Sequence, residues 1–458
     1  MKKTIIICLS FVLVVCAVFA GVTFWRGTAK EVILESKPLE LWYTDESLED
    51  YMNNAAVVYE EKYGTKVNVH LVSAMEYLEQ IQEETLHGEN APDVFLIGND
   101  SLEKAALSGL GAEVTDINHC LNSSYYPLVA LEAATYDGQI MGYPFSYNTA
   151  VFLYNDTHLS TIAQEELKKE GMEAPGAKDI LARKENILPV SLVGVLDFAN
   201  RYDAPEGVEV FFKWDVCDIL YNYMFAGAYM NLGGSCGDNQ NEIDLYNEDS
   251  IYGLSLFQDF HQFFSIDSKD VEYEKVMQEF KEGKIMFTMA NASCIEELER
   301  AKLNGEFAYE YGIVPIVMMN SSKKAKGLSV TQVLVVNGYG DRKQEAENLA
   351  YFLSCEYSEN LFSRSGQMSA YLKNSYPYPQ MEQVLATYEN TTPIPKIVES
   401  SNFWMLVEKL YTECWEGADV NSSLRELSEQ IKFQITGTEV KETEIETPVL
   451  EEDYLADE

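Results

Sequence analysis

Between Leu39 and Leu102, short apolar runs alternate three times with amphipathic stretches, and that order leaves few folds open. Leu39-Glu40-Leu41-Trp42-Tyr43-Thr44 reads as a strand. Ser47, with Asp50 three residues on, has the spacing of a capping box ahead of an apolar face of Leu48, Met52, Ala55 and Tyr59, and Gly64 closes that helix. Val67, Val69 and Leu71 alternate as a second strand. A helix from about Ala74 to Thr85 follows, then a third strand, Val94 to Ile97, and a helix from near Leu102. Such a β-α-β-α-β-α order predicts a parallel sheet with crossover helices. Open sheets of this kind gather ligands beyond the carboxyl ends of their strands. Tyr43, Asp45 and Glu46 after the first strand, and Asn99 and Asp100 after the third, are therefore the first candidate site residues.

A chain of 458 residues exceeds what one ordinary core accommodates, which predicts two lobes. The change of character falls at Tyr143-Pro144-Phe145-Ser146-Tyr147-Asn148-Thr149-Ala150-Val151-Phe152-Leu153-Tyr154-Asn155. A strand with small polar residues at its middle and aromatics on both sides suits a hinge between two lobes. Beyond it, Thr161 to Glu185 reads as helical with a break at Pro175-Gly176. Glu209 to Gly234 is dense in aromatics and reads mostly as core helix, with Trp214 near its polar start. Gly283 to Asn291 is a strand with a polar end, Tyr311 to Pro315 a crossing strand and Ser363 to Tyr371 a third crossing. Asn402-Phe403-Trp404 opens a helical region ending near Gly437.

The charge balance, 33 basic against 74 acidic residues, excludes nucleic acid as a partner, because a phosphate backbone needs a basic face. It reads as a solvated acidic surface, with no twelve-residue oxygen-ligand loop to suggest bound calcium. Met1-Lys2-Lys3 precedes an uncharged apolar run from Thr4 to Trp25, long enough to cross a bilayer, with its basic end held in the cytoplasm. Residues 1–29 are thus expected to be a signal or membrane anchor, the anchor favoured although Val18-Phe19-Ala20 offers a cleavage site. Val15 before Cys16 argues against lipidation. Residues 30–37 read as a linker and 436–458, rich in carboxylates, as a disordered tail. The remaining cysteines, Cys120, Cys217, Cys236, Cys294, Cys355 and Cys414, are scattered without metal-ligand spacing, so no metal or cofactor is expected.

Catalytic patterns are nearly absent: no phosphate-binding loop, no dinucleotide fingerprint, no HExxH. Gly233-Gly234-Ser235-Cys236-Gly237 satisfies GxSxG, but a polar run, Asp238 to Glu242, follows where a nucleophile elbow needs a helix. With 74 acids, carboxylate pairs carry no information about glycoside hydrolysis. What remains is a binding pattern: aromatics, amides and acids at strand ends, including Asn291 after the later strand. Sugar rings offer apolar faces to aromatics and hydroxyl rims to carboxylates and amides.

Several segments in order give the chain a resemblance to the extracellular solute-binding proteins of ABC importers, in the class that includes maltodextrin-binding proteins. They include Leu41-Trp42-Tyr43-Thr44, Tyr63-Gly64-Thr65-Lys66-Val67, Ala91-Pro92-Asp93-Val94-Phe95, Leu107-Ser108-Gly109-Leu110, Gly142-Tyr143-Pro144, Gly283-Lys284-Ile285-Met286-Phe287, Gly312-Ile313-Val314-Pro315 and Phe403-Trp404. The resemblance implies two α/β lobes joined by three crossing strands, a type II periplasmic-binding-protein-like fold that closes on solute. It places lobe 1 at 38–146 and 314–362, and lobe 2 at 151–310 and 368–435. Asp45 and Asp100 match positions that bond ligand hydroxyls, and Trp404 matches a stacking aromatic. Asn148 stands where maltodextrin binders carry an acid, with Tyr147 beside it. Ile97 and Ser293 replace tryptophans of that branch, and Ser101 replaces a basic residue, so the ligand should differ from a long maltodextrin. Trp214 is a replacement platform by loose alignment.

The resulting expectation is a non-enzymatic receptor on the extracellular face, held by or released from its N-terminal segment. It binds a small solute, a mono- or oligosaccharide, and delivers it to the membrane subunits of a permease. A ligand-sensing input for a membrane signalling partner is the alternative, and a glycan-active enzyme a lower one.

Overall fold

The computed structural model describes residues 37–450 apart from 89, 398 and 399; the expected anchor, nearly all of the linker, and residues 451–458 lie outside the described residues. Among the described residues no helix is long and apolar enough to cross a membrane.

The alternation at the N-terminal end forms the expected sheet. Strands β1 (Leu39–Tyr43), β2 (Val67–Leu71) and β3 (Val94–Gly98) run parallel, with β1 between the other two. The connecting helices are Glu49–Tyr63, ended by Gly64 in the left-handed region at φ 72°, and Tyr77–His87. The capping expectation needs one correction. Asp45, not Ser47, caps this start: its Oδ1 accepts from the Ser47 amide at 2.9 Å and opens a 3-10 turn, Glu46–Leu48, ahead of the helix.

Period-two alternation explains why both faces of this sheet are covered. Leu39, Leu41, Val94, Leu96, Leu334 and Val336 enter the main core. Trp42, Phe95, Ile97, Val333 and Val335 enter a second cluster roofed by Leu78 and Ile81.

The hinge candidate is one continuous fourteen-residue strand, β4 (Gly142–Asn155). Four further strands fix its role. They are β5 (Val210–Phe212), β6 (Ile285–Asn291), β7 (Tyr311–Val314) and β8 (Gly327–Val336). The first half of β4 pairs antiparallel with β8, which in turn pairs with β3. From Ala150 onward β4 pairs instead with β6 and β7. One strand thus belongs to both halves of the sheet. Two short strands complete it: β9 (Met368–Ser369) on β4 at Ser146 and Tyr147, and β10 (Thr391–Pro393) on β8. The mixed α/β architecture is two-lobed, as expected.

Two expectations are corrected. Glu209 to Gly234 is not a core helix: β5 pairs parallel with β6, and short helical turns and the two-residue strand Asn231–Leu232 follow. Its aromatics sit on a strand and turns, Phe211 and Tyr229 half-buried and the others buried, and apolar content alone cannot choose between strand and helix. Residues 438–450, expected to be disordered, run back along the helix Val420–Thr436. Glu442 accepts from Lys432 Nζ and Ser428 Oγ, both at 2.6 Å, and the Ile445 amide donates to the Tyr246 hydroxyl at 3.1 Å. Charge excess gave the wrong expectation because these acids meet basic and hydroxyl partners on that helix, while Ile445 and Leu450 rest on the core.

Candidate functional site

A cavity of about 480 Å³ lies over the middle of β4. Its floor follows from strand alternation. Ser146 and Asn148 of β4 face it together with Gln332 and Val330, their partners on β8. One wall is the turn after β1, with Asp45 and Ser47; another is the segment Ser365 to Met368; the third is Ala292, Ser293 and Glu296 after β6. The cavity therefore sits at strand ends from both halves of the sheet, where an α/β fold gathers ligands.

Hydrogen bonds hold the walls in place. Gln367 ties its own wall to the turn after β1 and to the floor: its Nε2 donates to Asp45 Oδ2 at 2.7 Å and to Ser47 Oγ at 3.0 Å, and its Oε1 accepts from Ser146 Oγ at 2.8 Å. Asn148 Oδ1 accepts from the Ala292 amide at 3.1 Å, tying the hinge strand to the turn after β6. Among the described residues no protein acceptor meets the Asn148 amide nitrogen, and the side chain is exposed at the cavity. Asn291 Oδ1 caps that turn, accepting from the Ser293 amide at 3.1 Å and from its hydroxyl at 2.5 Å. Glu296 lies opposite Asp45 in the first turn of the helix Cys294–Asn304, with Arg300 at 3.5 Å. Gly366 adopts φ 72°, and a side chain there would meet Glu296 Cγ at 3.2 Å, so the walls close on each other at this end.

Not every predicted site residue reaches the cavity. Asp45, Tyr147 and Asn148 line it. Glu46 is exposed beside it and Asn291 braces it from behind. Tyr147 contributes only an edge, because its ring is buried and stacks on Tyr388 with centroids 3.8 Å apart and planes at 5°. Burial pushes its hydroxyl well above the usual tyrosine range. Three residues are corrected outright. Tyr43 points into the main core, where burial first, then Glu49 and Asp45, raise its hydroxyl pKa. Asn99 is 0% exposed and uses both ends of its amide, Nδ2 to the Ile394 carbonyl and Oδ1 from the Thr331 amide, each at 2.9 Å. Trp214 is 0% exposed, stacks on Phe212 at 4.4 Å and donates to Asn222 Oδ1 at 2.8 Å. Alternation explains Tyr43, since Leu39, Leu41 and Tyr43 share the inward face of β1. Asp100 folds back over Gly98, and Trp404 is half-buried beside Phe403; neither lines the cavity.

Ser47, Ser146, Gln332, Glu296 and Gln367 were not anticipated, while Ser293, singled out by the resemblance as replacing a tryptophan, does line the cavity. Ser146 and Gln332 were within reach of sequence reading, because a polar residue two places from Asn148, or inside an apolar strand, must face something polar. Gln367 had no local signal. The GxSxG loop forms no nucleophile elbow: Gly233, Gly234 and Gly237 all have positive φ, and Ser235 is exposed on the loop.

Residues 54–215 match the family model described as bacterial extracellular solute-binding protein. The chain is 21% identical over 371 residues to the maltooligosaccharide ABC transporter solute-binding lipoprotein of Streptococcus pneumoniae serotype 4, covering 79% of this chain and 80% of that protein. It is 22% identical over 407 residues to the maltodextrin-binding protein MdxE of Bacillus subtilis, covering 85% and 89%. Among solved structures, a cyclo/maltodextrin-binding protein complexed with maltotetraose superposes with a TM-score of 0.69 at 19% identity, over 89% of this chain and all of the other. The Staphylococcus aureus extracellular solute-binding protein in complex with maltose gives 0.70 at 18% identity, over 87% and 98%. At these identities the structural likeness is one of fold.

Proposed function

We infer that this chain is a bacterial extracellular solute-binding protein of an ABC importer, and that it takes a saccharide in the cavity over β4 and presents it to the permease. The reading rests on one observation above all. The polar cavity lies where a single strand passes from one half of the sheet to the other, so a bound solute touches walls carried by both. Only a closed arrangement makes all those contacts at once, so solute shifts the lobes toward closure. The protein binds and releases without turnover. It is exported and membrane-associated, with residues 1–29 as the attachment.

Asp45, Asn148, Gln332 and Glu296 offer carboxylate and amide groups to hydroxyls, and the lining includes no Lys or Arg. An uncharged, hydroxyl-rich ligand fits this lining; an anionic one meets two carboxylates with no basic group in the lining, Arg300 reaching only Glu296 from behind at 3.5 Å. The lining also lacks an exposed aromatic face, which favours a mono- or short oligosaccharide over a long stacked glucan.

Calorimetry across a panel of saccharides tests the reading. Asp45→Ala is expected to weaken the best ligand by roughly ten-fold or more, the usual effect of losing a hydrogen bond to a charged group. Unchanged affinity would place the solute elsewhere. Within one hexose series, the uronate should bind at least about ten-fold more weakly than the neutral sugar, because a buried like-charge contact costs more than 1.4 kcal/mol.

A further inference from the structure

Residues 112–127 join two helices and carry no helix or strand of their own. A segment of that length inside a compact lobe needs fixing by side chains. Two devices do so. The first is Glu347, buried on the helix Lys343–Tyr351, whose carboxylate accepts from Thr115 Oγ1 at 2.6 Å, from the Thr115 and Ile117 amides, and from the Tyr143 hydroxyl. The second is a pair of thiols.

Cys120 lies on this segment, its amide bonded to Asp116 Oδ1 at 2.9 Å. Cys355 lies in one turn of π-helix, Phe352–Glu356, that follows the same helix. Their sulfurs are 3.7 Å apart across 235 residues of sequence, and the two side chains are 3% and 5% exposed. The Tyr126 hydroxyl sits on Cys355 Sγ at 3.0 Å and on Ser354 Oγ at 2.8 Å.

We propose that Cys120 and Cys355 form a disulfide in the exported protein, stapling the irregular segment to the π-turn. The pairing rests on export, part of the functional reading, because oxidising surroundings are where such bonds persist. Closing the sulfurs from 3.7 Å to about 2.05 Å requires small side-chain rotations. The chemistry is thiol–disulfide exchange with an external disulfide such as oxidised glutathione. Both S–H bonds are lost, the Sγ–Sγ bond forms, and the reagent leaves as two thiols carrying the two hydrogens. Hydrogen bonding to Cys355 and burial both raise the Cys120 thiol pKa, so the folded, reduced protein exchanges slowly and the bond is made before the lobe closes.

The test uses the full chain in detergent, denatured, reduced, and refolded in a glutathione redox buffer. Peptide mapping without reduction is expected to find the 120–355 linked peptide, and the oxidised form is expected to melt on the order of 5 °C above the reduced one. Cys120→Ala and Cys355→Ala should each abolish the linked peptide and the reductant-dependent shift, while Cys294→Ala should preserve both. Free, alkylatable thiols at both positions after oxidative refolding would overturn the proposal, as would Cys120 linked to any other cysteine. The mass readout needs no ligand, so its failure leaves the saccharide reading standing. Saccharide affinity should agree within about two-fold between the redox forms, since neither cysteine lines the cavity.

Discussion

At the residue scale the most exacting position is Lys396. It is 2% exposed, and its ammonium donates to the Glu132 carbonyl at 3.2 Å and to the Cys236 carbonyl, joining the helix Leu128–Ala133 to the Gly233–Asn239 loop. Burial is the largest influence and lowers its pKa to about 8, against the partial support of Cys236, Asp238, Glu132 and Asp100. The unfolded chain keeps this proton up to about 10.5, so between the two values it binds more protons than the folded one, and stability rises with pH. Below about 8 the buried charge carries its full cost. Lys396→Met removes this dependence. Urea denaturation of both proteins should show the wild type gaining on the variant by on the order of 2 kcal/mol between pH 7 and pH 10. Parallel pH profiles would show that the ammonium is not held at such cost.

At the element scale, β4 carries both the hinge and the floor. Its start admits no side chain at Gly142, where a Cβ would lie 2.4 Å from the Leu334 carbonyl oxygen and 2.7 Å from Val333 Cγ1. Gly142→Ala is expected to cost about 1–3 kcal/mol through forced separation of β4 from β8, measurable as a lower denaturation midpoint. An unchanged midpoint would mean that this pairing tolerates a methyl group. The strand itself was legible: Tyr143 to Asn155 differs from the observed bounds by one residue. Which of its side chains face the cavity was half legible. Ser146 and Asn148 share a face by alternation, but Tyr147 had to be seen against Tyr388, more than two hundred residues away, before its ring could be assigned to the packing behind the floor.

At the scale of the whole molecule, two lobes share strands, and the C-terminal segment is fastened to the helix before it. Lys432–Glu442 and Lys441–Glu429 pair at 2.6 Å, and Asn421 Nδ2 donates to the Ile445 carbonyl at 2.7 Å. Truncation after Gly437 should lower the melting temperature yet leave saccharide affinity within about two-fold, because these contacts lie away from the cavity. A large loss of affinity would tie the segment to lobe closure. Saccharide binding to the full chain should also contract its radius of gyration in small-angle scattering, as hinge closure requires.

The sequence by itself determined the alternation of strand and helix, the shared strand at 143–155 and the class of fold, because these depend on local periodicity and on segments whose order survives divergence. It also named Asp45 and Asn148, from strand ends and resemblance, and both line the cavity over β4. Only the tertiary structure decided that Tyr43, Asn99 and Trp214 are spent on packing, that Gln367 and Glu296 wall the cavity, and that the acidic segment is docked. Each of those outcomes depends on a partner distant in the chain: Ile394 for Asn99, Trp415 for Trp214, Asp45 for Gln367. A side chain's type is local, but its burial and its hydrogen bonds are set by what the fold brings against it.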